Sequence, residues 1–587
     1  MTRELTAPAG AARLADRRPR WVELSTRSWR GVPIRVWLLV ALVTAPLVFF
    51  TARFLLDGWL PQGDEAIMAV RARDVWSSHP PLSGMRSTSG LSAPGVAAHH
   101  PGPMQFYVLA PLFALTGWWL GSLLVTSLLV TAGFAATAIV AAHRAAGWGA
   151  AVVAATVVLA MERLFGEHIV LPWNVWQPTV GLLAVLFLAW RLVLGQLTAM
   201  VPYVVCASYV AQGHILFLPV VGLVTASLTV IGLVRWRRKR EAYWPIPGYR
   251  PSTRQAAWRR RGWITCAVVV LCWLPVLIET MVITPNNVHE LLALGTSDEG
   301  KPKVGLELGL GFVLSCFVPL ADNPVTNVYT HASALQLSLS VLVVVLAVLT
   351  LVLPRAYVRR CRLAPVRPGV ALGLLSSLPV IWMASSVREE LQIAYSVFAI
   401  AAALLVTGLV AWWLYRVGVR YVTASVRGVP VAPAAAGVGI ALVLMLVSPS
   451  FLSGAAMGNY DGDVDRAARV TTAVRSRIAS EGLQGRAVAV EVPGRLAWFS
   501  LGSAVTAGLT VDGHQVYFDV LWGGLPQDDD HRRLRNAPTD AVKVIIRDRV
   551  RGEAWNRHPV PPHPTAVLPF TFVIGPQTVD VEVLIQR

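Results

Sequence analysis

Two adjacent carboxylates, Asp64 and Glu65, follow Gln62-Gly63 where a long apolar run gives way to polar sequence. A carboxylate at such an edge loses part of its hydration, which raises its pKa toward the range where it can accept a proton from a hydroxyl. Asp64 is the first candidate for a general base. The competing reading is that Asp64, coming after Gly63, only N-caps the helix that Glu65 begins. Glu65 shares a helical face with Met68, Ala72 and Trp76, so it is expected in an apolar stripe, as a second candidate base or an acceptor ligand. Arg71, Arg73 and Asp74 complete this helix, and a Pro/Gly/Ser-rich run then leads to His99-His100-Pro101-Gly102-Pro103.

Anion binding is the second chemistry on offer. Arg388, Arg71 and Arg73, with Arg86 beside them, can hold a phosphate through bidentate hydrogen bonds. Arg388 lies in a short turn with Glu389 and Glu390, where an ion pair that anchors the turn is the plain alternative. His99, His100 and Asp74 are candidate contacts for a donor or acceptor, against the alternative that the histidines are solvent-exposed loop residues. A divalent cation is compatible with this chemistry, yet no ligand spacing specifies one. Glu167, His168, Trp173 and Asn174 form another polar group, in which Trp173 and Trp176 offer stacking faces, although tryptophan is enriched at membrane interfaces anyway.

The elements that must position these residues are membrane spans. Hydrophobic residues make up 55% of the chain and charged ones only 14%, and mean hydropathy is +0.56, which is a polytopic membrane composition. The net charge of +18 comes from arginines clustered at the ends of apolar runs. That is the positive-inside pattern, not a nucleic-acid footprint.

Residues 1–34 form a basic cytoplasmic tail, and Val36 to Leu56 are long enough to span. The loop Asp57 to Pro103 then lies outside, and Met104 to Leu115 are expected as a short helix in the outer interface. Further spans are Trp118 to Ala142, 149–163, Thr179 to Leu194, Leu197 to Ala211, Ile215 to Val234, Ile264 to Ile283, Leu335 to Leu353, Val370 to Ser385, Leu391 to Leu414 and Ala432 to Leu452. This makes about eleven spans in a transmembrane domain over residues 35–452, with the candidate site in the first outer loop, 57–117, and every Arg-dense loop inside.

Residues 453–587 change character. Ala467 to Ser480 have helical spacing, and strand-like runs occur at Arg486 to Val492, Gln515 to Leu521, Ala541 to Ile546 and Val579 to Ile585. They are expected to form an extracytoplasmic α/β domain with its own small core. The five cysteines fall in or beside apolar segments and suggest neither a disulfide framework nor a metal cluster.

A first span, an outer loop opening on Asp64-Glu65, and the His99-His100-Pro101 segment before a short interfacial helix together resemble the membrane glycosyltransferases of the C superfamily (GT-C). The similarity is to its protein O-mannosyltransferases, aminoarabinose transferases and actinobacterial arabinofuranosyl- and mannosyltransferases. Gly102-Pro103 departs from the family's usual continuation of the His-Pro segment. It extends in plan over the first 450 residues or so and in letters over two short motifs.

The resemblance implies inverting transfer of a sugar from a polyprenyl-phosphate donor to a cell-envelope glycan or glycolipid on the outer side of the plasma membrane. A lipid-linked saccharide flippase would instead carry charged or Gly/Pro-broken spans at the midplane. A non-catalytic envelope-assembly scaffold would need only the outer domain, and a requirement for Asp64 separates it from an enzyme.

Overall fold

The computed structural model describes residues 28–29, 31–87, 93, 95–243, 253–296, 302–320, 328–354, 366–388, 390–425, 463–493, 501–519, 527–555, 564–574 and 577–587. The tail before residue 28, Glu389 and the expected last span Ala432 to Leu452 lie outside the described residues.

A small hairpin, β1 (Ser28–Trp29) and β2 (Val32–Pro33), leads into α1 (Ile34–Leu56). At 1.5 Å per residue its 23 residues reach about 35 Å, enough to cross a bilayer. The acidic pair then opens α2 (Gly63–Asp74). There follow α3 (Met104–Leu115), α4 (Gly121–Ala146), α5 (Trp148–Phe165), α6 (Trp176–Val193), α7 (Met200–Gly213) and α8 (Phe217–Tyr243). The helical part continues with α9 (Thr253–Val282), α10 (Asn287–Thr296), α11 (Leu306–Ser315), α12 (Ala334–Val352), α13 (Val366–Ser386) and α14 (Ile400–Ser425).

Among the described residues eight helical segments are long and apolar enough to cross a membrane, so the chain is a polytopic helical membrane protein. Eight of the expected spans fall on these, while the stretches expected from Leu197 and from Leu391 appear as shorter apolar helices. Small residues let the helices approach closely. A Cβ on Gly369 of α13 would stand 2.7 Å from the Trp190 ring of α6, and one on Gly149 would stand 2.5 Å from Trp412 of α14.

The C-terminal part contains α15 (Asp463–Ser480), β3 (Val488–Glu491), α16 (Ser503–Val511), β4 (Val516–Phe518), β5 (Val542–Val550), β6 (Ala566–Ile574) and β7 (Gln577–Gln586). Its sheet has the order β4-β3-β5-β7-β6, with β3 parallel to both neighbours and β7 antiparallel to both of its own. Sequence reading misses β6, because Pro569 argues against a strand. The structure places it at the sheet edge, where a missing backbone donor is tolerated.

Two apolar cores result. One joins the transmembrane helices around α5, α6 and α14. The other holds the sheet residues Val488, Val516 and Val544 together with Val470 and Val505, and α2 supplies Ala66, Ile67, Met68, Ala69, Val70 and Ala72 to it. The helix that carries the acidic pair is thus buried against the C-terminal sheet layer, across the sequence division expected at 452/453.

Candidate active site

The first turn of α2 starts at Gly63, whose φ of 50° suits glycine. Gln62 is the N-cap and gives no side-chain cap. The capping reading of Asp64 is thereby corrected: Asp64 lies inside the first turn, and its Oδ2 accepts a 3.0 Å hydrogen bond from the Trp173 indole N–H. The Gly63 amide donates instead to Ser503 Oγ at 2.7 Å, across 440 positions of sequence.

Burial pushes the Asp64 carboxyl above its usual range, while the Arg86 cation and the Trp173 hydrogen bond pull it back. Glu65 is only 3% exposed. Burial first, and the neighbouring Asp64 charge second, raise it to about 8. Burial raises both carboxyls, but the surroundings differ: an indole and a guanidinium favour the ionised form of Asp64, whereas Glu65 is raised further by its neighbour's charge.

Of the four arginines, it is Arg86 whose charge acts on Asp64. Arg71 is fully buried, donates to the Ser83 carbonyl at 3.0 Å and lies over the Phe106 ring. Arg73 lies over Trp118 at 5.1 Å. Its pKa is lowered by burial and then by the Arg532 charge. Asp74 is held in a buried bidentate pair with Arg532, at 2.7 and 2.5 Å. Arg388 sits at another junction, paired across an antiparallel bridge with Lys303, where Val304 N–H donates to the Val387 carbonyl at 2.8 Å.

Both histidines are buried, at 4% and 5% exposure, which corrects the solvent-exposed reading. The His99 amide donates to Asn287 Oδ1 at 2.8 Å, and Asn287 Nδ2 donates back to the carbonyls of His99 and His100. The His100 ring lies 4.0 Å from that of His214, which in turn packs on Phe398. Burial, then His214 and His99, hold His100 well below the imidazole range, and burial brings His214 to about 3. Both rings are neutral at pH 7, so His100 offers no cation to a phosphate.

Glu167 pairs with Arg53 of α1 at 3.0 Å, and His168 is buried with Nδ1 3.2 Å from the Phe165 carbonyl. Asn174 donates to the Gly213 carbonyl at 3.1 Å. Trp176 is enclosed by Phe165, His168 and Trp173 and presents no free stacking face. Of this group only Trp173 reaches the acidic pair.

Behind Trp173 runs a buried polar chain that sequence reading overlooked. Gln105 Nε2 donates to the Trp173 carbonyl and to Gln177 Oε1, Gln177 donates to Ser127 at 2.6 Å, and Tyr209 donates to Gln177 at 2.8 Å. Polar residues inside apolar helices were the available signal. Ser503 and Arg532 carry no such signal, since only folding brings them to α2.

Among the described residues no group of three or more His, Cys, Asp or Glu side chains is placed to hold a metal ion. An open cavity of about 420 Å³ lies along the seam between the two cores, lined by Trp59, Trp118, Trp119, Arg475 and Asp512.

No protein-family model matches the chain, and no curated protein does. Among solved structures it is similar to the crystal structure of ArnT from Cupriavidus metallidurans bound to undecaprenyl phosphate. The TM-score is 0.48 and the identity 13%, over 93% of this chain and 98% of that one.

Proposed function

We propose that the protein is an inverting glycosyltransferase that moves a sugar from a polyprenyl-phosphate donor to an envelope glycan or glycolipid at the outer membrane face, with Asp64 as the base. The observation that carries this reading is the acidic pair at the start of α2. Asp64 accepts the Trp173 indole and faces Arg86, while Glu65 keeps a proton at neutral pH.

In this reading Asp64 takes the proton of the acceptor hydroxyl as the hydroxyl oxygen attacks the anomeric carbon, and the polyprenyl phosphate leaves with the bonding electron pair. Glu65 donates a hydrogen bond to the acceptor, and Arg86 receives the phosphate. Arg388 is a second phosphate ligand at the junction with Lys303.

Asp64→Asn tests the base directly. The substitution keeps the shape and an oxygen for the indole but cannot take a proton, so transfer should fall by about two to four orders of magnitude with normal membrane insertion. Near-normal transfer by Asp64→Asn would move the base to Glu65. Normal transfer by both Asp64→Asn and Glu65→Gln would leave a flippase or a scaffold as the better account.

A further inference from the structure

The helix that carries the acidic pair is gripped at both ends by the C-terminal layer. At its start, Ser503 Oγ receives the Gly63 amide at 2.7 Å, so a fully buried hydroxyl of α16 supplies the capping that Gln62 does not. At its end, Arg532 grips Asp74 with both nitrogens of its fork while donating a third bond, 3.1 Å long, to the Val516 carbonyl of β4. His531, the preceding residue, stacks on His79 with centroids 4.3 Å apart and planes 14° from parallel. Between these ends α2 lends its apolar side chains to the core of the sheet. Every position of α2 from Ala66 to Val70 puts a side chain into that core, so little of it faces a softer neighbour.

We infer that the C-terminal layer is a positioning device for the acidic pair, and that Ser503 and Arg532 are its positioning residues, acting on the reacting groups only through α2. This rests on the reading of Asp64 as a base. A general base gains its effect from being held at hydrogen-bond reach of one hydroxyl, and a helix end that frays moves its first-turn carboxylates by ångströms. The grip also keeps water from Glu65. The helices packed against α2, α3 and α16, carry no charged side chain. The charge that bears on Glu65 is therefore that of Asp64, on which Arg86 acts in turn, with Arg71, Arg73 and Asp74 farther along α2 and Arg532 at its end.

The test uses full-length protein in detergent. In Ser503→Ala, hydrogen exchange of the amides of residues 63–66 should quicken at least about tenfold, because the first turn opens without its cap. The alkaline limb of the pH–rate profile should also move down by at least about one unit, as water reaches Glu65. A smaller folded fraction lowers the rate but does not move that limb. Arg532→Lys is the second variant, since an ammonium cannot reproduce the fork, and it should quicken exchange at residues 70–74. Wild-type exchange in both variants overturns the inference. An active Asp64→Asn would instead remove the base, and the exchange data would still report on the grip.

Discussion

Replacing Glu65 by Gln tests the electrostatics of the pair most sharply. The Glu65 carboxyl is raised from 4.5 to about 8 by burial and by the Asp64 charge. With that value about nine-tenths of the molecules carry the proton at pH 7 and about one-tenth at pH 9. If neutral Glu65 donates to the acceptor, wild-type transfer should fall about tenfold between these pH values. Glu65→Gln keeps a donor at every pH, so its profile should stay flat across the same interval at a reduced rate. His100 and His214 are held below the neutral range and do not titrate there.

The sign of the linked stability effect is fixed as well. A carboxyl with a raised folded-state pKa contributes stability that is full below 4.5 and is lost as pH rises toward about 8, an effect of at most about 5 kcal/mol. Glu65→Gln should therefore resist thermal inactivation better than wild type at pH 9 and gain little at pH 5. The assay is transfer from a defined polyprenyl-phosphate sugar in detergent, from pH 5 to 9, alongside thermal inactivation. An alkaline limb shared by wild type and Glu65→Gln would refute the assignment of that limb to Glu65.

Trp173→Phe removes the indole donor that favours ionised Asp64, a hydrogen bond to a charge worth about 1.5–3 kcal/mol, so the acid limb should rise by about one to two pH units; an unmoved limb would exclude that role. Arg388→Lys should weaken donor binding more than Lys303→Arg does, since only the former loses a planar fork, and equal donor KM values in the two would leave Arg388 as a structural residue of its junction. Reporter fusions at residue 587 should read as extracytoplasmic, and a cytoplasmic signal would mean an even number of spans.

Eight of the expected spans were legible in the sequence because hydropathy acts locally: about 20 apolar residues decide for a span whatever packs beside them. The acidic pair was legible for the same reason, as charges stand out at the end of an apolar run. Its chemistry was not. Asp64 and Glu65 are neighbours with the same functional group, and only the indole of Trp173, 109 positions away, gives Asp64 surroundings that Glu65 lacks.

The histidines illustrate the converse. His99 and His100 lie in a polar Pro/Gly-rich stretch that reads as exposed, yet Asn287 and His214 close over them from distant segments. Sequence by itself also set the C-terminal part apart from the membrane part, since composition changes after residue 452. Only the tertiary structure showed that α2 belongs to the core of the C-terminal layer, because a short helix buried on nearly every face does not say by its pattern which of two apolar surfaces it will cover.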